Sequence, residues 1–151
     1  MLTNTANTCQ RNAECITSSG SSLWCTGPKI GTCFVFDRRI ARTWTTADVS
    51  FRTPRAFAAS VFLPDGRTWV LGGAGSSSIL KTTEFITLDA MSHLRIVPGP
   101  DMLEPLMYHS AAWISATQVV VLGGFSPVTS DYSPNAFVYD FETLKWTTKP
   151  W

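Results

Sequence analysis

The stretch Pro54-Arg55-Ala56-Phe57-Ala58-Ala59-Ser60, continued by Asp65-Gly66-Arg67-Thr68-Trp69-Val70-Leu71-Gly72-Gly73 and then Glu84-Phe85-Ile86-Thr87-Leu88-Asp89, decides how the chain is read. It returns 51 residues later as Pro105 to Ala111, Gln118 to Gly124 and Asn135 to Asp140. Pro54 maps to Pro105, Gly72 and Gly73 to Gly123 and Gly124, and Asp89 to Asp140, all at one offset. A fixed internal period of this length is the signature of a repeat architecture.

A fainter copy lies upstream. Gly20-Ser21-Ser22-Leu23-Trp24-Cys25-Thr26-Gly27 aligns with Gly66 to Gly73 at an offset of 46, and Cys33-Phe34-Val35-Phe36-Asp37 with Phe85 to Asp89 at 52. The difference of six is a shorter loop between two strands. Each copy ends in an aromatic or branched apolar residue six or seven positions past its Asp: Trp44, Ile96 and Trp146. The repeats therefore run over 8–51, 52–104 and 105–151.

Within a repeat the local signal is strand and turn. Ala58 to Phe62, Thr68 to Leu71, Glu84 to Leu88 and Arg95 to Val97 are short and rich in β-branched or aromatic residues. Pro64-Asp65-Gly66, a Gly/Ser loop and the turn after Asp89 separate them. No segment longer than about ten residues keeps a 3.6-residue apolar period, which removes the helical repeats. Four strands in a unit of about 50 residues predict an all-β chain of three four-stranded antiparallel units, with the period of a propeller blade.

These residues resemble a kelch repeat. The resemblance rests on the Pro-Arg start, the small-residue strand (Ala58-Ala59-Ser60, His109-Ser110-Ala111), the Asp65-Gly66 turn, the Gly-Gly pair, Glu84 with Asp89, Tyr139-Asp140 and Trp146. It is strongest from 33 to 151 and is similar to the kelch repeats of invertebrate multi-repeat proteins. It departs at Thr26-Gly27 in place of Gly-Gly, at Ile96 between Trp44 and Trp146, and at Leu106 where the second repeat has Arg55. The resemblance implies a kelch-type β-propeller segment whose three blades leave the ring incomplete. Further blades of a longer propeller are expected to close it, with a second copy of the chain as the alternative.

Composition narrows the function. The chain has 151 residues, 44% hydrophobic and 15% charged, with twelve basic and eleven acidic side chains and a net charge of +1. No basic run is present, so no nucleic-acid partner is expected. No apolar stretch reaches membrane-spanning length, so no membrane insertion is expected either.

Cys9, Cys15, Cys25 and Cys33 all fall in the first 33 residues. An even, clustered count suits disulfides. The repeat alignment makes Cys25 and Cys33 neighbours on adjacent antiparallel strands, which leaves Cys9 and Cys15 as the second pair. Free buried thiols remain open, and so does a zinc site, although the short Cys-x2-Cys spacing of structural zinc is missing. Disulfides would place the protein in an extracellular or secreted setting, with the cytoplasm as the alternative.

An enzyme shares this propeller type. Galactose oxidase uses two His, two Tyr and a Cys crosslinked to one of those Tyr to hold copper. This chain offers His93, His109, Tyr108, Tyr132 and Tyr139, without a Cys near a Tyr in the alignment. A fragment of such a copper-radical oxidase is the alternative to a binding module. Asp65-Gly66-Arg67-Thr68-Trp69 comes near a sialidase Asp box but reads as a strand-joining turn. Gly72-Gly73-Ala74-Gly75 lacks the Lys-Ser/Thr of a phosphate cradle, and Asp101 and Glu104 read as loop carboxylates. The expectation is a non-catalytic protein-interaction module with no catalytic residue, cofactor or metal.

In a four-stranded antiparallel unit the second-to-third loop and the connection between units share one end. Recognition concentrates in such loops on a rigid scaffold. Arg52, Arg55, Ser76, Ser77, Lys81, Tyr108, Phe125, Ser126, Asp131 and Tyr132 are the binding candidates there, chosen for loop position and for Arg and aromatic chemistry.

Overall fold

A computed structural model describes residues 14–16, 22–25, 32–36, 44–90 and 93–150. Among the described residues every regular element is a strand. β1 (Glu14–Ile16), β2 (Ser22–Cys25), β3 (Thr32–Phe36) and β4 (Trp44–Ser50) form the first sheet in chain order. β5 (Ala59–Phe62), β6 (Thr68–Leu71), β7 (Thr83–Leu88) and β8 (Leu94–Pro98) form the second in the same way. The third takes β9 (Ser110–Trp113) and β10 (Gln118–Leu122), detours through the two-residue ribbon of β11 (Phe125–Ser126) and β12 (Asp131–Tyr132), and finishes with β13 (Asn135–Asp140) and β14 (Lys145–Pro150). All neighbours are antiparallel, so each repeat is one meander. The four strands expected per repeat are present, and the β11–β12 ribbon is an addition to them.

The sheets pack side by side in chain order. β1 lies near β5 and β5 near β9, while β4 lies near β8. First strands therefore line up with first strands and outer strands with outer strands. The second sheet, flanked on both sides, buries all four residues of β6, Thr-Trp-Val-Leu. An alternating pattern would leave one face polar; a central strand with two covered faces has no use for it.

Trp69 is fully buried at the seam between the second and third sheets. Its ring lies 5.4 Å from Phe85, 5.1 Å from Tyr139, 5.4 Å from Phe141 and 5.6 Å from Trp146. Such aromatic pairs contribute about 0.5–1.5 kcal/mol each beyond area burial. The indole N–H donates to Thr83 Oγ1 at 2.8 Å, and that hydroxyl donates to the Pro100 carbonyl at 2.9 Å. The one polar atom of the ring is thus satisfied within the core. Trp146, the expected filler of the wedge between units, packs against this cluster half-buried.

The Gly-Gly pair has a steric cause. Gly72 and Gly73 take φ of +57° and +97°, and a Cβ on Gly73 would meet the Ala56 carbonyl at 2.6 Å. A Cβ on Gly72 would meet Met102 Cε at 2.6 Å and the Leu106 carbonyl at 2.7 Å, both from the connection leading to the third sheet. The equivalent Gly123 takes φ of +62° with nothing within 4 Å of that position.

Turns at the opposite end follow the expected chemistry. Gly66 (φ +89°) sits in the β5–β6 turn closed by the Leu63–Arg67 backbone bond at 2.7 Å, and Asp65 pairs with Arg67 at 2.6 Å. Asp140 Oδ1 accepts the Glu142 and Thr143 amides at 2.8 and 3.0 Å, which tightens the β13–β14 turn.

One pairing departs from simple translation by 51. Trp69 pairs with Phe85, but Val120 pairs with Val138 where the offset would set Ala136. A slip of two residues keeps every side chain on its own face, so the core pattern survives. Two bonds join positions 51 apart in consecutive repeats: the Tyr108 amide to the Phe57 carbonyl at 3.1 Å, and Trp113 Nε1 to the Phe62 carbonyl at 2.7 Å.

Candidate binding face

The β6–β7 loop, the β8–β9 connection and the β10–β13 loop gather at one end of the sheets, as the antiparallel meander requires. Backbone bonds weld them together. Gly73 donates to Leu106 at 2.8 Å, Met102 to Lys81 at 2.8 Å, and Met107 and Phe125 bond each other at 3.2 and 2.8 Å. This end is therefore a continuous surface built on rigid strands.

Two of the ten binding candidates do not belong to that surface. Arg55 is buried, with its side chain fully inaccessible. Its Nη1 donates to the Gly72 and Thr82 carbonyls, both at 2.8 Å, and its Nη2 to Thr82 Oγ1 at 3.3 Å and Glu84 Oε1 at 2.7 Å. Glu84 in turn accepts the Arg52 amide at 2.9 Å and the Thr53 amide at 3.3 Å. Burial lowers the pKa of the guanidinium, while the hydrogen bond and charge of Glu84 act the other way. Loop position suggested a recognition residue; the guanidinium instead ties the chain entering β5 to the β6–β7 loop. Ser126 is likewise buried, its Oγ accepting the Val128 amide at 3.2 Å.

The other eight are accessible. Arg52, Ser76, Ser77, Lys81, Asp131 and Tyr132 are exposed, Tyr108 is 56% exposed, and Phe125 is half-buried. Lys81 pairs with Asp101 at 3.5 Å. Phe125 and Tyr132 meet edge to face at 6.3 Å through the β11–β12 register.

The sequence did not single out Phe57. It occupies the position of Tyr108 one repeat earlier, and both residues adopt left-handed backbone, φ +57° and +60°. Their rings touch at 4.5 Å with a tilt of 40°. That conformation costs a non-glycine residue about 1 kcal/mol or more. The 51-residue spacing was a usable signal, since it sets an aromatic residue in the same place twice.

The next residue, His109, is 7% exposed, with neither ring nitrogen hydrogen-bonded among the described residues. Burial pushes its pKa down to about 4, so the imidazole is neutral near pH 7. His93 lies at the other end of the sheets in the β7–β8 turn, beside Asp89 at 3.5 Å. Tyr139 is in the core, while Tyr108 and Tyr132 face solvent. These residues do not converge on one point and do not fit the two-His, two-Tyr copper set. Among the described residues no cluster of three His, Cys, Asp or Glu has metal-binding geometry.

Backbone register sets Cys25 opposite Cys33 in the β2–β3 pair. Their side chains, and Cys9 entirely, lie outside the described residues. At the turn end a cleft of about 330 Å³ is lined by Pro64, Asp65, Arg67, Trp113, Ala116 and Phe141, with Leu63 at its base.

No family model matches the chain, and no curated protein matches it in sequence. Among solved structures it is similar to one titled "Structure of YjhT", with a TM-score of 0.69 and 14% identity. The match covers 93% of this chain and 50% of the other, so the chain spans half the length of that structure. At this identity the likeness concerns the fold.

Proposed function

We propose that the chain is a segment of a kelch-type β-propeller that works as a non-catalytic protein-interaction module through the loop end of its sheets. The observation carrying this reading is the surface at that end. Tyr108, Tyr132 and Val128 are exposed there above a rigid framework, and the loops 72–80 and 123–130 are rich in Gly and Ser and hold no charged residue. Rigid aromatics amid small hydroxyl residues are the composition of surfaces that recognise proteins. The side-by-side meanders and the fold likeness support the propeller, which further blades or a second copy would complete. The same reading carries the Cys25–Cys33 bridge and an extracellular or secreted setting, since directly opposed antiparallel residues have a Cα separation a disulfide accepts.

The test is site-specific photo-crosslinking in the source organism's extract. A benzoylphenylalanine at Tyr132 should capture a discrete protein, and one at Leu144, exposed on the opposite end, should not. Equal capture at both positions, or capture at Leu144 alone, would reject the loop end as the interaction surface.

A further inference from the structure

We propose that the Phe57–Tyr108 ring pair is the docking platform for an uncharged, proline-rich extended segment of a partner protein. The proposal rests on the interaction-module reading and names the partner chemistry.

The first argument is conformational. Both residues hold left-handed backbone, where glycine is the ordinary occupant, and both carry a large ring there. Tyr108 leaves more than half its surface in water, and Phe57 is half-buried. Strain held at equivalent positions of two repeats, without full burial in return, marks a recognition role.

The second argument is pre-organisation. The Tyr108 amide donates to the Phe57 carbonyl at 3.1 Å, and the ring centroids stand 4.5 Å apart. The two rings form one fixed apolar surface that needs no ordering when a ligand arrives.

The third argument selects the ligand. The segments 56–64, 72–80, 105–117 and 123–130 contain no Asp, Glu, Lys or Arg, and their one histidine, His109, is buried and neutral near pH 7. Nothing in these segments would recognise a phosphate or a charged peptide. A polyproline helix matches such a surface: its pyrrolidine rings lie flat on aromatic faces, its backbone demands no strand partner, and it is extended before binding.

The experiment is calorimetric titration of the chain with an acetylated, amidated ten-proline peptide, a Gly/Ser ten-mer and maltohexaose, paired with thermal melts. The proline peptide should bind, the Gly/Ser peptide should not, and affinity should be unchanged between low and high salt. Tyr108→Gly and Phe57→Gly should each weaken binding by about tenfold or more. Because glycine suits this backbone, both variants should melt at or above the parent temperature. Tyr108→Phe should retain binding. The proposal is overturned if the proline peptide does not bind, if the glycine variants bind it undiminished, if they melt well below the parent, or if maltohexaose alone binds. Crosslinking at Tyr132 without proline-peptide binding would leave the interaction module standing and remove this partner class.

Discussion

Arg55 and Glu84 form a buried ion pair at 2.7 Å, and the third repeat holds no such pair: Leu106 stands 51 residues after Arg55, and Phe137 takes the place opposite Val121 that Glu84 takes opposite Val70. Leu106 is fully buried in the core, so the third repeat fills with hydrocarbon the place the second fills with charge. Removing one member of a buried pair strands the other, whereas replacing both is often nearly neutral.

Arg55→Leu alone is therefore expected to destabilise the chain by about 3–5 kcal/mol. Combining Arg55→Leu with Glu84→Asn should recover more than half of that loss. Urea melts of the single and double variants provide the check, and a double variant as unstable as the sum of the singles would show that the two losses are not coupled.

His109 predicts an acid sensitivity with a definite window. Its folded pKa of about 4 lies below the ordinary histidine value of 6.5, so the unfolded chain binds the proton more tightly. No contribution arises above pH 6.5; stability is lost as pH falls from there toward 4 and levels off below it, reaching about 3 kcal/mol. His109→Leu should flatten the urea midpoint between pH 7 and pH 4.5. An unchanged slope in that variant would assign the acid response to other groups.

Gly73 and Gly123 separate steric from conformational cost. Gly73→Ala places a Cβ 2.6 Å from the Ala56 carbonyl at φ +97°, and should cost more than about 3 kcal/mol. Gly123→Ala meets open space at φ +62° and should cost about 1 kcal/mol, that of the left-handed backbone. Thermal melts compare the two, and equal losses would contradict the crowding around Gly73.

Most of the architecture was legible because strands and turns are local. Thr68 to Leu71 is β6 as expected, and the neighbouring strands differ from expectation by one residue at either end. The two-residue slip that pairs Val120 with Val138 was not, since a shift of two leaves the apolar pattern unchanged. The site was read in part. Arg55 was placed on the surface because it sits in a connection, yet its four short contacts depend on residues 17 to 29 positions away. The joint loss of Arg55 and Glu84 in the third repeat was the visible trace of that pairing. The left-handed backbone of Phe57 and Tyr108 had no such trace, because aromatic residues rarely occupy it.

The bonds from Tyr108 to Phe57 and from Trp113 to Phe62 bracket β9, one before its first residue and one at its last, and each reaches back to the residue 51 positions earlier, before β5 and at its last residue. Two anchors on one strand fix an angle as well as a distance. The angle between the second and third sheets is thereby set along their first strands, by one backbone bond and one side-chain bond that both join residues 51 positions apart.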